Sequence, residues 1–269
     1  MATEAPTAPQ LPLLYEGLEP ISREKHGKMK MRRMDKVPAA GRTHAVPITV
    51  EEFGLAQRFF PIIFSAGDEP VPLALMGLNE GVNTFLDEDG LPIVNDIYIP
   101  AYLRRYPFML ARLNPDSEEL SLCFDPTSDT IGDFKDGEPL FDKDGKPTDV
   151  INDLLRFSEQ FEAAGRRTAF FMQELKDMDL LMEGEVAIQP EGMEQPFVYR
   201  GFQMVNEEKF RELSGDKLRK MNQNGMLPIV MAHLFSLALT RDIFLRQVRL
   251  GKGPEGSEKV LDALKKREA

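Results

Sequence analysis

Three copies of Asp-Gly-x-Pro, at residues 89–92, 136–139 and 144–147, limit what the middle of this chain can form. Asp tolerates left-handed backbone angles, Gly prefers them, and Pro removes a donor just beyond, so neither a long helix nor a long strand is expected to cross such a tetrapeptide. Exposed hairpin turns are expected at all three. Two copies extend further, since Phe85-Leu86-Asp87-Glu88-Asp89-Gly90 parallels Leu140-Phe141-Asp142-Lys143-Asp144-Gly145. Neither has the third ligand before the Gly, nor the Glu at the twelfth position, that a calcium loop of the EF-hand kind needs.

Short apolar runs flank these turns. Lys28-Met29-Lys30-Met31-Arg32 alternates like a half-buried strand with methionines inward, and Phe59–Phe64 and Val71–Leu78 read as buried strands around Gly67-Asp68. Asn83–Leu86 is expected to begin a third. Thr49 with Glu52 has the spacing of a capping box ahead of a short helix over 50–58. From Thr148 to about Leu181 the apolar spacing turns helical, with Gly165 expected to divide two helices. Asn206 and Ser214 cap further helices, Asn224-Gly225 stops one, and Pro228 suits the first turn of another reaching about Leu250. Strand signals before 145 and helix signals after 148 predict an α+β fold, a strand- and turn-rich N-terminal half packed against a helical C-terminal half. Residues 1–20, rich in Pro and Ala, read as a flexible tail, 21–250 as a single domain, and 251–269 as a linker and short C-terminal helix.

A single cysteine, Cys123, excludes an intramolecular disulfide and fits a reducing cytoplasm; its apolar surroundings suit an inert thiol. The first residues lack the basic start and apolar core of a signal peptide, and the apolar stretch Met226–Leu239 is too short for a transmembrane segment and reads as a core helix. A net charge of −11 opposes nucleic-acid binding, although Ile21–Lys36 carries seven Lys and Arg against two acids. That basic segment is expected to be the solvated side of a strand.

Chemistry-bearing motifs are few. No Gly-x-Gly-x-x-Gly, phosphate loop or Gly-x-Ser-x-Gly elbow occurs, and His26, His44 and His233 have no metal-ligand spacing, so neither metal nor cofactor is expected. The densest cluster is Tyr98-Ile-Pro-Ala-Tyr102-Leu-Arg104-Arg105-Tyr106-Pro-Phe108. If Pro100 opens a helix, the tyrosines share one face and the two arginines stand near its end. Packing with paired carboxylates is one reading of Tyr98, Tyr102, Arg104 and Arg105; a site for a small anionic ligand is the other. His233, inside Ile229–Leu237, reads as a hydrogen-bonded core histidine or as part of a pocket.

Three blocks resemble the SapC family of bacterial proteins: Phe60-Pro-Ile-Ile-Phe64 with Leu75-Met-Gly-Leu78; Tyr98–Phe108; and Gly201-Phe202 followed by Ala232-His-Leu-Phe-Ser-Leu237. The family takes its name from a bacterial surface-array locus, and its members are often encoded beside TonB-dependent receptors and proteins resembling flavin-dependent halogenases. The resemblance implies a link to a surface layer or TonB-dependent uptake; with the aromatic and arginine density of Tyr98–Phe108 and the missing catalytic motifs, the leading expectation is a non-catalytic accessory or binding protein with a protein partner, using that segment for recognition. The rival is an enzyme, an oxygenase or modifying activity with a pocket near His233, Tyr102 and Arg105. A secreted structural subunit is the third class.

Overall fold

Met29 and Met31 pack into a core while Lys30 reaches out to the Lys135 carbonyl, as alternation over 28–32 requires, although the regular strand is only Lys30–Met31. This comes from a computed structural model that describes residues 11–34, 36–114, 119–190 and 193–268, with backbone alone for 263, 264 and 266–268. The chain is α+β. It divides into two compact units, Met1–Asp35 with Arg105–Glu162, and Lys36–Arg104 with Ala163–Ala269.

The first unit holds two small antiparallel sheets. Leu120–Phe124 lies between Glu19–Pro20 and Phe108–Arg112, and Lys30–Met31 lies between Ile131–Gly132 and Glu138–Pro139. Phe108, Leu110, Leu122, Phe124, Leu140 and Ile151 form its core. Residues 1–10 of the expected tail lie outside the described residues; beyond them Tyr15 is buried and donates to the Phe108 carbonyl at 2.8 Å. The basic segment is answered locally, Lys25 pairing with Glu19 and Arg32 with Asp129, each at 2.5 Å.

The second unit is built on a five-stranded antiparallel sheet in the order Leu181–Ile188, Phe197–Val205, Ile62–Ser65, Pro72–Leu75, Ala45–Pro47. Ile62, Phe64, Ala74 and Val46 share one fully buried face, against which the helix Met226–Ser236 packs. No strand is expected from the sequence over 181–205, yet this stretch forms the hairpin at the edge of the sheet. Its charged and glycine residues break the alternation, and two residues of one strand, Arg200 and Gly201, oppose Glu185 alone. Gly201, at φ +89°, supplies the left-handed residue of this bulge.

Two further expectations are corrected. Gly165 divides nothing, since one helix runs from Asp149 to Asp177. A helical glycine costs about 1 kcal/mol, and Ala164, Phe171, Met172 and Leu175 bury their side chains on either side of it. Asn83–Leu86 begins no strand. Asn83 is buried and takes the Phe85 and Leu86 N–H groups on its side-chain oxygen, each at 2.9 Å, while its amide donates to the Ala40 and Thr43 carbonyls. The groups a strand partner would need are spent.

The Asp-Gly-x-Pro pair is a structural repeat. Asp87 Oδ1 accepts from the N–H groups of Asp89 and Leu91, and Asp142 Oδ1 from those of Asp144 and Lys146, all within 2.8–3.0 Å. Each loop closes with a bridge to its proline, Leu86 to Pro92 and Phe141 to Pro147. The third copy departs from the pattern, because Pro139 belongs to a strand paired with Lys30. Both Gly90 and Gly145 have positive φ, but a side chain on Gly90 would strike the Val37 carbonyl, whereas one on Gly145 would meet only the movable Arg23 guanidinium. Gly145→Ala is therefore expected to cost about 1 kcal/mol and Gly90→Ala about 2 or more. Urea midpoints of the two variants measure the difference.

The stretch Met226–Arg249 is long and apolar enough to cross a bilayer by length and composition. Within the unit it is held by polar bonds: His233 and Ser236 reach strand 62–65, and Gln247 accepts from the Leu78 N–H. A 3-10 turn, Leu237–Leu239, breaks it into two helices.

Candidate functional site

Tyr98 and the start of the helix Ala101–Arg105 are tied to one buried carboxylate. Glu52, 5% exposed, receives the Thr49 N–H and hydroxyl on Oε2 at 2.8 and 3.0 Å, completing the capping box read from the sequence. Its Oε1 receives the Tyr98 hydroxyl at 2.9 Å and the Ala101 N–H at 2.7 Å, a donor that Pro100 leaves free at the helix start. Burial, reinforced by the Glu52 charge, pushes the Tyr98 hydroxyl up to about 12. Its proton is held for Glu52 rather than offered to an anion.

The two adjacent arginines have separate lives. Arg104 is exposed and donates Nε to the Ile99 carbonyl at 3.0 Å. Arg105, in the first unit, is 7% exposed, 3.8 Å from Glu162 and 4.3 Å over the Phe161 ring. Tyr102 is buried in the second unit, and Tyr106, in the first, donates to Asp125 at 3.4 Å. Arg105→Ala is expected to lower stability by about 2 kcal/mol through lost packing over Phe161, and Arg104→Ala by less than about 1 kcal/mol. Thermal melts of the two single variants check this.

His233 closes a gap in the sheet. Strands 197–205 and 62–65 pair through Phe202 with Ser65 and Gln203 with Phe64, a register that two residues further would join Val205 to Ile62. The imidazole stands between them instead: Nε2 accepts from the Val205 N–H at 3.1 Å and Nδ1–H donates to the Ile62 carbonyl at 2.8 Å. Ser236, one turn on, accepts from the Ile62 N–H at 2.8 Å, and Phe64 stacks on the ring at 4.6 Å. Desolvation drives the imidazole down to about 4, so it is neutral, and neither ring nitrogen is left for a substrate or a metal. The sequence brings His233 into the core; the interstrand role comes from pairing that no local pattern shows.

The opposite face of the same sheet carries a cavity of about 200 Å³. Ala45, Ile63, Ser65, Leu73 and Leu75 form its floor, and Val186, Tyr199 and Phe202 come from the hairpin bent at the Gly201 bulge. Ser65 accepts from the Val71 N–H and Thr240 donates to the Leu237 carbonyl, so both of these lining hydroxyls are engaged. The Tyr199 hydroxyl is different. It is shielded from solvent with no hydrogen-bond partner among the described residues, and burial pushes it up to about 12. An unsatisfied buried hydroxyl forfeits about 1–3 kcal/mol. Ile63, Leu75 and Leu78 stand in the first of the blocks that carry the resemblance and Gly201-Phe202 in the third, but none of them was singled out there as a site residue.

Among the described residues, no group of three or more His, Cys, Asp or Glu side chains is placed to hold a metal. The model of the SapC family matches residues 21–243. The chain belongs to the SapC family. No curated protein and no solved structure matches this SapC chain. The family match spans the residues of the His233 bridge, the Glu52 cluster and the sheet-face cavity alike.

Proposed function

We propose that this SapC chain is a non-catalytic binding protein that holds a small molecule in the sheet-face cavity and acts in the cytoplasm as an accessory to a bacterial surface-layer or TonB-dependent uptake system. The observation that carries the binding reading is the cavity itself, about 200 Å³ lined by Ala45, Ile63, Leu73, Leu75, Val186 and Phe202, the apolar composition of a small-molecule site. The groups best suited to acid–base or nucleophilic work are committed elsewhere. His233 spends both nitrogens on backbone, and burial pushes the Cys123 thiol up to about 11. The link to a surface layer and to uptake rests on the family resemblance alone, and a protein partner belongs with it.

Purification from the native organism, followed by denaturing release and mass spectrometry, tests the binding reading. One small molecule near equimolar amount, unchanged in mass after prolonged incubation, is expected. The cavity-filling variants Leu75→Trp and Ala45→Leu are expected to lose it. Stoichiometric iron, zinc or flavin, or progressive conversion of the molecule, would overturn the reading in favour of an enzyme.

A further inference from the structure

We infer, independently of the sheet-face reading, that a second cleft, between the end of the 87–92 loop and the helix Thr240–Arg249, binds an apolar molecule ending in one carboxylate, which Arg246 grips. Both elements belong to the second unit. The helix buries Ile243, Phe244, Gln247 and Val248. Asp242, Leu245, Arg246 and Arg249 follow one another at i, i+3, i+4 and i+7, a single stripe, and all four line a cleft of about 470 Å³. The loop supplies the facing wall. Leu86 bridges to Pro92, and the Ile93 N–H donates to the Phe85 carbonyl at 2.9 Å, which brings Ile93 and Val94 to the cleft. Ile93 is 48% exposed and Leu250, also on the lining, 44%, so apolar surface is open to an occupant beside the arginines.

Arg246 names the charged end of that occupant. Its guanidinium lies 4.9 Å over the ring of the buried Phe85 and makes no ion pair or side-chain hydrogen bond among the described residues. The helix end does not need it. With Gly251 at φ +69°, the Gly251 N–H donates to the Val248 carbonyl and the Lys252 N–H to that of Gln247. A guanidinium anchored over a ring keeps N–H donors for a partner, and a carboxylate matches their fork. Asp242 limits the charge. Two arginines less one aspartate leave the stripe at +1 in a chain of −11. A monoanion balances it, whereas a phosphate monoester, at about −1.5 to −2, would bring surplus charge beside Asp242.

Methyl NMR of the full chain, titrated with octanoate, 1-octanol and octyl phosphate, separates these terms. Octanoate is expected to shift Ile93, Val94, Leu245 and Leu250 and to bind about fivefold more tightly than either of the others. Arg246→Met, which keeps an unbranched stem beside Phe85, is expected to erase the advantage of octanoate over octanol while leaving octanol unchanged, a pattern that loss of the fold would not give. Equal affinity of the wild type for octanoate and octanol would overturn the inference, as would equal weakening of both by Arg246→Met. Tighter binding of octyl phosphate would overturn it too, because Asp242 would then set no limit. Octanoate that leaves Ile93 and Leu250 unmoved, or that shifts Ile63, Leu73 and Leu75 instead, would overturn it and leave the sheet-face reading standing.

Discussion

Replacing His233 with alanine is expected to lower the stability of this SapC chain by about 4 kcal/mol. The ring bridges Val205 N–H and Ile62 C=O at a point where the strands no longer pair directly. Alanine strands both groups in the core, at about 1–3 kcal/mol for each unsatisfied partner, and opens a void beside Phe64. Urea midpoints at pH 7.5 measure the loss. His233→Gln, which can offer one donor and one acceptor, is expected to recover part of it.

The same ring sets a pH dependence. The folded state depresses its pKa from 6.5 to about 4, because protonation would both charge a desolvated ring and turn a second N–H against that of Val205. The unfolded chain therefore binds a proton first as pH falls. The contribution, roughly 3 kcal/mol, is complete above pH 6.5 and is lost as pH drops from there towards 4. Stability measured between pH 7.5 and 4.5 is expected to fall in the wild type by more than in His233→Gln, whose side chain does not titrate.

Glu52→Gln is the second large effect. Both carboxylate oxygens act only as acceptors, for Thr49 twice on one side and for Tyr98 and Ala101 on the other. A glutamine NH₂ on either side faces two donors, and the site is too enclosed for water to relieve them. The expected loss is about 3 kcal/mol. Tyr98→Phe removes one donor and leaves three, so about 1 kcal/mol is expected for it. Denaturant unfolding of the two variants reports this ratio; equal losses would mean that Tyr98 rather than Glu52 organises the segment.

The parts of this chain that the sequence discloses are those governed by local chemistry. Thr49 with Glu52, Asn206 and Ser214 cap helices where their side chains reach the nearby N–H groups. The Phe85–Pro92 and Leu140–Pro147 likeness survives as two loops with the same hydrogen bonds. What stays hidden depends on distant partners. The hairpin 181–205 lacks clean alternation because it bends at a bulge, and the strand residues of the cavity floor and walls, from Ala45 to Phe202, are joined across four strand pairings. Tyr98, Arg104 and Arg105 stand out in the sequence as polar groups close together, yet only the fold shows the Tyr98 hydroxyl spent on Glu52 and Arg105 buried over Phe161 while Arg104 is exposed.

Whether the open sheet face is a ligand site is decided most directly by methyl NMR of the Ile, Leu and Val side chains during titration with toluene, a small apolar probe suited to these walls. Shifts confined to Ile63, Leu73, Leu75, Leu78 and Val186, which line the cavity, are expected, with Leu110, Leu122 and Ile151 of the other unit unmoved. Saturating probe that moves none of the first group, or moves both groups equally, would contradict a site there.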